Sequence, residues 1–435
     1  MVIGNFIPLS AATPEPAIPE GAGTQNNPFL ITSVENLLWM SQTANQSAGR
    51  YYQLKNSIDA SSTSTWNNGQ GFSPIGTQAA MFRGIFNGNN YAITGLTIQR
   101  YTSNFVGFFG YCSQAILANL RLLDCNITGA SDVGGLVGYA DNCTISTVAT
   151  SGMVTAYGNC AGGLAGEVYR STVTYSCSTA SIVGNSGVGG LIGQSLTESN
   201  TQACYASGSV SANLETSYAG GLIGWNHGPV VCCYARGSVS GQYRVGGLCG
   251  QDNGTITQCY ATGRVSGADN YVAGIAGYGN TNLRVTYWDV QTTGRTYCIG
   301  NNKSFATNYA RSTEQMKNAA YYSGWSFDSI WGISSTVNDG YPYLNNIANV
   351  APDPDPEPEP DPEPTYLLTY TWSGDNLHIK WDPAGSPVLQ RSTDLKEWQD
   401  VTGETDDEEG LKTYVVSKYT LLSGNSYFRL QYPAE

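Results

Sequence analysis

Charge is scarce in this 435-residue chain: 12% of residues are charged, about half the usual share of about 25%. No lysine occurs between Lys55 and Lys303, and no basic stripe alternates with aromatics, which excludes nucleic acid and an anionic membrane surface as partners. No run approaches the roughly 18 apolar residues of a membrane span. Histidine is limited to His227 and His378, read as a turn residue and a solvent-facing strand residue, with no third partner for a triad. C-x-x-C pairs are missing and the eleven cysteines are an odd set, which argues against zinc and against a complete disulfide framework. No cofactor and no metal are expected.

What the chain has is glycine (52), tyrosine (29) and repetition. The phrase Val133-Gly134-Gly135-Leu136-Val137-Gly138 returns as near-copies ending at Gly166, Gly193, Gly224, Gly250 and Gly277, with a weaker copy at Val106 to Gly110. Its central residues Leu136, Leu164, Leu191, Leu222, Leu248 and Ile275 are 26 to 31 positions apart, the period of a solenoid. A unit this short buries its apolar face only by stacking. A second beat runs Cys-Tyr-Ala-x-Gly-x-Val at Cys204, Cys233 and Cys259. With Cys177, these cysteines read as free thiols in a buried ladder. Short β-branched runs between Gly, Asn and Ser turns predict an all-β chain, a parallel β-helix with rungs of about 27 residues. Paired glycines permit positive φ or close backbone approach at a corner. A phosphate cradle would need a strand-to-helix context that is missing.

Around this body, residues 1–23 read as an N-terminal arm and 24–105 as an N-terminal cap with the first rungs, the segment Val34 to Met40 being a helical lid. Met1 to Ala12 lacks the basic stretch of a secretory signal, so either export uses another route or this is a processed chain with an initiator methionine. Rungs fill 106–300. Residues 301–351 form an aromatic C-terminal cap that seals the last rung, with a capped helix at Ser312 to Lys317 in which Glu314 answers the cap. Residues 352–364 alternate proline with acids, a stiff spacer, and 365–435 form a small β-sandwich. The net charge of −13 is concentrated at this end: residues 352–435 carry −11 and the rest −2.

The Val/Ala-Gly-Gly-Leu-x-Gly beat joined to Cys-Tyr-Ala-x-Gly-x-Val resembles the GLUG repeat of bacterial secreted and cell-surface proteins. Gly23 to Ile31, Phe82 to Ile98 and the stretch from Tyr287-Trp288-Asp289 to Tyr341-Pro342-Tyr343-Leu344 are similar to the flanks of such proteins. The resemblance implies a right-handed coil and an adhesin-like, extracellular role. Some carriers are zinc endopeptidases that cleave immunoglobulin A; this chain lacks His-Glu-x-x-His, so that activity is not carried over. The C-terminal module is similar to small β modules of secreted bacterial proteins.

Catalysis finds little support in the residues. Glycoside hydrolysis needs two facing carboxyls, and the acids here are scattered. Asp124 with Asp252, or Asp132 with Asp269, would lie several rungs apart. Asp141 and Glu167 are nearly one period apart and are read as solvated loop residues. Tyr139, Tyr169, Tyr218, Tyr243 and Tyr271, with Tyr278, are candidates for glycan contact or for ladder packing. The resulting expectation is a non-enzymatic structural protein at the cell surface or beyond, self-associating head to tail into a filament through its terminal segments. The alternatives are a monomeric glycan-binding adhesin and a polysaccharide-degrading β-helix enzyme.

Overall fold

The computed structural model describes residues 13–42, 48–214, 217–268, 271–280, 282–305, 309–345 and 347, and, in a second unit, 369–373, 376–381, 388–392, 399–402, 405–406, 412–417 and 427–431. Residues 1–12 of the arm, the spacer at 352–364, Glu215 and Asp269 lie outside the described residues. The chain divides into two compact units, 1–353 and 354–435.

The first unit is a β-solenoid of about seven turns of about 28 residues. Each repeat turn has three faces. The first carries Val133–Gly134, Asn159–Gly162, Ser186–Gly189, Tyr218–Gly220, Arg244–Gly246 and Val272–Ala273. The second runs from Phe109–Ser113 through Val137–Asp141 and Ala165–Tyr169 to Ala276–Gly279. The third is broad: two long strands, Ile116–Gly129 and Thr144–Ala156, are followed by short strands such as Thr172–Thr174, Cys177–Ser178 and Ser181–Gly184. Each strand pairs in parallel with its equivalent one turn away.

The glycine phrase spans the bend between the first and second faces, and its central residue points inward. The N–H of Leu136 donates to the Leu164 carbonyl at 2.9 Å, and the relay continues from Leu164 to Leu191, Leu191 to Leu222, Leu222 to Leu248, Leu248 to Ile275 and Ile275 to Cys298. All seven side chains are fully buried, each leucine contributing about 1.5–3 kcal/mol. Phe108 of the weaker upstream copy is in phase, since Phe109 N–H donates to Leu136 O at 2.8 Å.

Of the two roles open to the glycines, close approach is the one used. None of the motif glycines has positive φ. A Cβ on Gly135 would collide with the Gly163 carbonyl, and one on Gly193 with the backbone of Cys160 and Ala161. Positive φ occurs instead at one register position of the first face, just ahead of the inward residues Val106, Val133, Ala161 and Val188, at Phe105, Asp132, Cys160 and Gly187. A second left-handed column, Thr147, Tyr175, Ala203, Cys232, Gln258 and Val285, kinks the broad face ahead of each Cys-Tyr beat.

That kink sets the cysteine phase. Cys204 N–H donates to Cys233 Sγ at 3.4 Å, Cys233 N–H to Cys259 Sγ at 3.3 Å, and Cys259 N–H to Thr286 Oγ1 at 3.4 Å. The equivalent upstream is Ser176, whose Oγ accepts from Val148 N–H at 3.0 Å. Cys177 sits one position later and pairs with Tyr205. All eleven cysteines are free and buried.

Both ends of the coil are closed by the chain itself. Helix Val34–Met40, capped by the Ser33 hydroxyl, inserts fully buried Leu37 and Met40 into the shared core. The second half of the arm is tied down: Leu30 N–H donates to Glu20 O at 2.8 Å and the Asn36 amide to Ala17 O at 2.9 Å. At the far end Trp288, Cys298 and Ile299 join the core, with Val290 and Phe305 against them.

The expected C-terminal cap divides: Phe305, Tyr309 and Ala310 pack against the shared core, while most of its aromatic residues are placed elsewhere. Residues 316–344 lie along the outside of the broad face, where Tyr205, Tyr234 and Tyr260 stack at 4.9 Å and 4–6°. Trp325, Trp331, Tyr341 and Met316 bury Tyr234, Tyr260 and Tyr287 in a second core. In helix Thr313–Met316 it is Gln315, not Glu314, that completes the capping box with Ser312.

The second unit is built of two antiparallel sheets, one with Thr369–Ser373, Asn376–Trp381, Lys412–Ser417 and Thr405–Asp406, the other with Val388–Ser392, Gln399–Asp400 and Tyr427–Gln431. Ile379 and Leu389, one from each, are buried together, which makes it a small sandwich.

Candidate functional site: the seam along the glycine bend

At a convex corner outward side chains diverge; at this bend they meet. The third glycine of each phrase lets the first-face backbone of the preceding turn lie against it, as Gly138 does with Phe105 and Val106, Gly250 with Tyr218 and Ala219, and Gly277 with Arg244 and Val245. The bend is therefore re-entrant, and the outward columns of two faces line one seam along the coil.

From the first face come Phe105, Asp132, Cys160, Gly187, Tyr218, Arg244 and Tyr271. The second supplies Tyr111, Tyr139, Glu167, Gln194, Trp225, Gln251 and Tyr278, successive partners in register. At its start the seam is aromatic: Phe105 meets Tyr111 and Tyr139 edge-on at 5.3 and 5.7 Å, and the two tyrosines stack at 4.7 Å. Farther along, Tyr218 contacts Trp225 at 5.7 Å. The Arg244 guanidinium lies 4.2 to 5.1 Å from the rings of Tyr218, Tyr243 and Tyr278 and donates to Gln251. Tyr271 bridges Tyr243 and Tyr278 edge-on. Such half-buried rings present faces to which sugars or other planar apolar surfaces can stack.

Of the tyrosines singled out in the sequence, Tyr139, Tyr218, Tyr243 and Tyr271 are thus in or beside the seam. Tyr169 lies apart, in register with Asp141 and under the Arg170 guanidinium at 4.5 Å. Asp141 does not face Glu167 but is bound by Arg170 at 2.7 Å.

Between the aromatic stretches the seam is acidic. The side-chain donor atoms of Asp132, Cys160 and Glu167 lie within 4.8 Å of one another. The Cys160 thiol is 3.3 Å from Gln194 Oε1 and 3.9 Å from Glu167 Oε2. Burial pushes Asp132 up to about 6 and Glu167, with the added repulsion of Asp132, up to about 7. Burial also raises the Cys160 thiol. Sequence reasoning set Asp132 against Asp269 and Glu167 against Asp141 because spacing along one face hides what a re-entrant bend brings across two.

Residues 241–266 match the family model of the GLUG motif. The chain carries the GLUG motif. Its other copies of the phrase occupy the same bend, so the GLUG glycines are what fold the seam. The chain is similar to Halomucin of Haloquadratum walsbyi, 35% identical over 343 residues, 75% of this chain and 3% of that protein. It is also similar to a provisionally named Gly-rich membrane protein of Evansella cellulosilytica, 37% identical over 122 residues, 27% of this chain and 14% of that one. The chain thus spans a small fraction of the curated relatives it matches. A solved structure from Bacteroides ovatus, provisionally named an immunoglobulin A1 protease, superposes with a TM-score of 0.49 at 18% identity, covering 75% of this chain and 94% of its own. No described helix is long and apolar enough to cross a membrane.

Proposed function

We propose that this GLUG protein is a non-enzymatic structural element of the cell surface or extracellular space, and that copies associate head to tail through their terminal segments. The observation that carries the reading is the unbroken hydrogen-bond relay from Leu136 to Cys298: the turns it links bury their inward side chains in one continuous apolar core, the build of a rod. The likeness to Halomucin and to a Gly-rich membrane protein supports a surface location. Edge-to-edge addition of rungs is opposed by the closures at both ends, so association rests on residues 1–12, the spacer and the C-terminal module. Negative-stain microscopy tests it: the full chain forms filaments, and deletion of residues 1–12 or 354–435 leaves single particles. Single particles from the full chain at all concentrations overturn it.

The aromatic seam favours a second reading, glycan binding. On a glycan array, the full chain would then bind and a Trp225→Ala, Tyr218→Ala variant would not, while filament formation stayed intact.

A further inference from the structure

The acidic stretch of the seam has the composition of a cation site. Asp132 and Cys160 are neighbours in one column, one turn apart, and Glu167 reaches them from the facing column. Two carboxylates and a thiol converge there, yet among the described residues neither carboxyl has an ion-pair partner. Elsewhere the same columns hold rings, amides and one arginine.

The next position up the first column is Gly187, where a side chain would begin 3.6 Å from Cys160 Sγ. Lacking one, it leaves room beside the sulfur, and Gln194 Oε1 borders that space at 3.3 Å from Sγ. Cys160 is buried, 8% exposed, so an ion held there is largely shielded from water.

We propose that Asp132, Cys160 and Glu167, with the Gln194 carbonyl as fourth donor, bind a zinc-like divalent cation. A tetrahedral ion about 2.0–2.3 Å from each donor needs donor atoms about 3.3–3.8 Å apart, reached from the present 4.8 Å limit by small side-chain rotations. One thiolate with oxygen donors suits a borderline ion such as Zn²⁺ over Ca²⁺ or Mg²⁺, which take oxygen alone. Binding exchanges the thiol proton, and any proton held by the carboxyls, for the ion. The ligands are at 132, 160 and 167, so no short cysteine motif announces them.

The test uses the full chain, reduced and stripped of metal, titrated with Co²⁺ as probe. A thiolate-to-cobalt absorption band in the near ultraviolet is expected, saturating at one equivalent, displaced by Zn²⁺ and lost in Cys160→Ser. Glu167→Gln and Asp132→Asn should weaken binding at least about tenfold, with metal-free circular dichroism unchanged. Zn²⁺ should raise the Tm of the parent chain and not that of Cys160→Ser. No band at millimolar Co²⁺ overturns the proposal. So does a band that survives Cys160→Ser.

Discussion

Arg236 and Asp339 are joined at 2.6 Å across 103 positions of sequence, pinning the C-terminal aromatic segment to the outer face of the coil. The Arg236 guanidinium also lies 4.9 Å from the Tyr341 ring. The segment is a clasp along the rungs rather than a plug at their end.

The clasp is held chiefly by burial, because Asp339 is open to solvent. Trp331, fully buried against Tyr234, Tyr260 and Trp325, is the larger contributor. Trp331→Ala should cost about 3–5 kcal/mol in urea denaturation and open 309–347 to limited proteolysis. Arg236→Ala should change both far less.

Glycine at the bend is required for space and not for φ. Gly193→Ala places a methyl against the Cys160 and Ala161 backbone and should destabilise the fold by about 1–3 kcal/mol. Gly279→Ala, where the added methyl meets only ordinary contacts at 3.4 Å or more, should be close to neutral. Thermal melts of the two compare them directly.

The sulfur column offers a chemical test. Cys233 Sγ accepts the Cys204 N–H, a place taken by hydroxyls at Ser176 and Thr286. Cys233→Ser keeps an acceptor and should be milder than Cys233→Ala, which orphans a buried N–H at about 1–3 kcal/mol. The two midpoints in urea should fall in that order.

Asp252 makes stability depend on pH. Its carboxyl accepts from the Asn226 amide at 2.7 Å and from Gly254 N–H at 3.2 Å, while Oδ2 is buried without a partner. Burial pushes it up to about 6 from 3.8. The folded state therefore binds this proton more tightly than the unfolded chain, and stability falls as pH rises from about 4 to about 6. Asp252→Asn should remove that slope, raising Tm above the parent at pH 8 and matching it near pH 4.

The Leu136 column, its period and its inward direction were legible in the sequence because one residue per turn repeats a single environment. So were the N-terminal lid and the second sandwich, from local apolar alternation. The Cys177 offset was not legible, since the period varies from 26 to 31 positions and the 27-residue step from Cys177 to Cys204 fits it as well as the 28-residue step from Ser176 that the structure uses. The meeting of Asp132 with Glu167 depends on whether the bend turns outward or inward, which glycine permits but does not declare. The clasp joins Trp331 to Tyr234 across about a hundred residues, beyond any periodic signal.

Hydrogen exchange at the amides of Leu136, Leu164, Leu191, Leu222, Leu248 and Ile275 tests the central claim most directly. If successive turns share one filled interior, these six exchange among the slowest in the chain, slower than Ser131, Gly158 and Gln242 in the outer turns. Exchange of any inner member of the column at the rate of those turns would contradict a continuous coil.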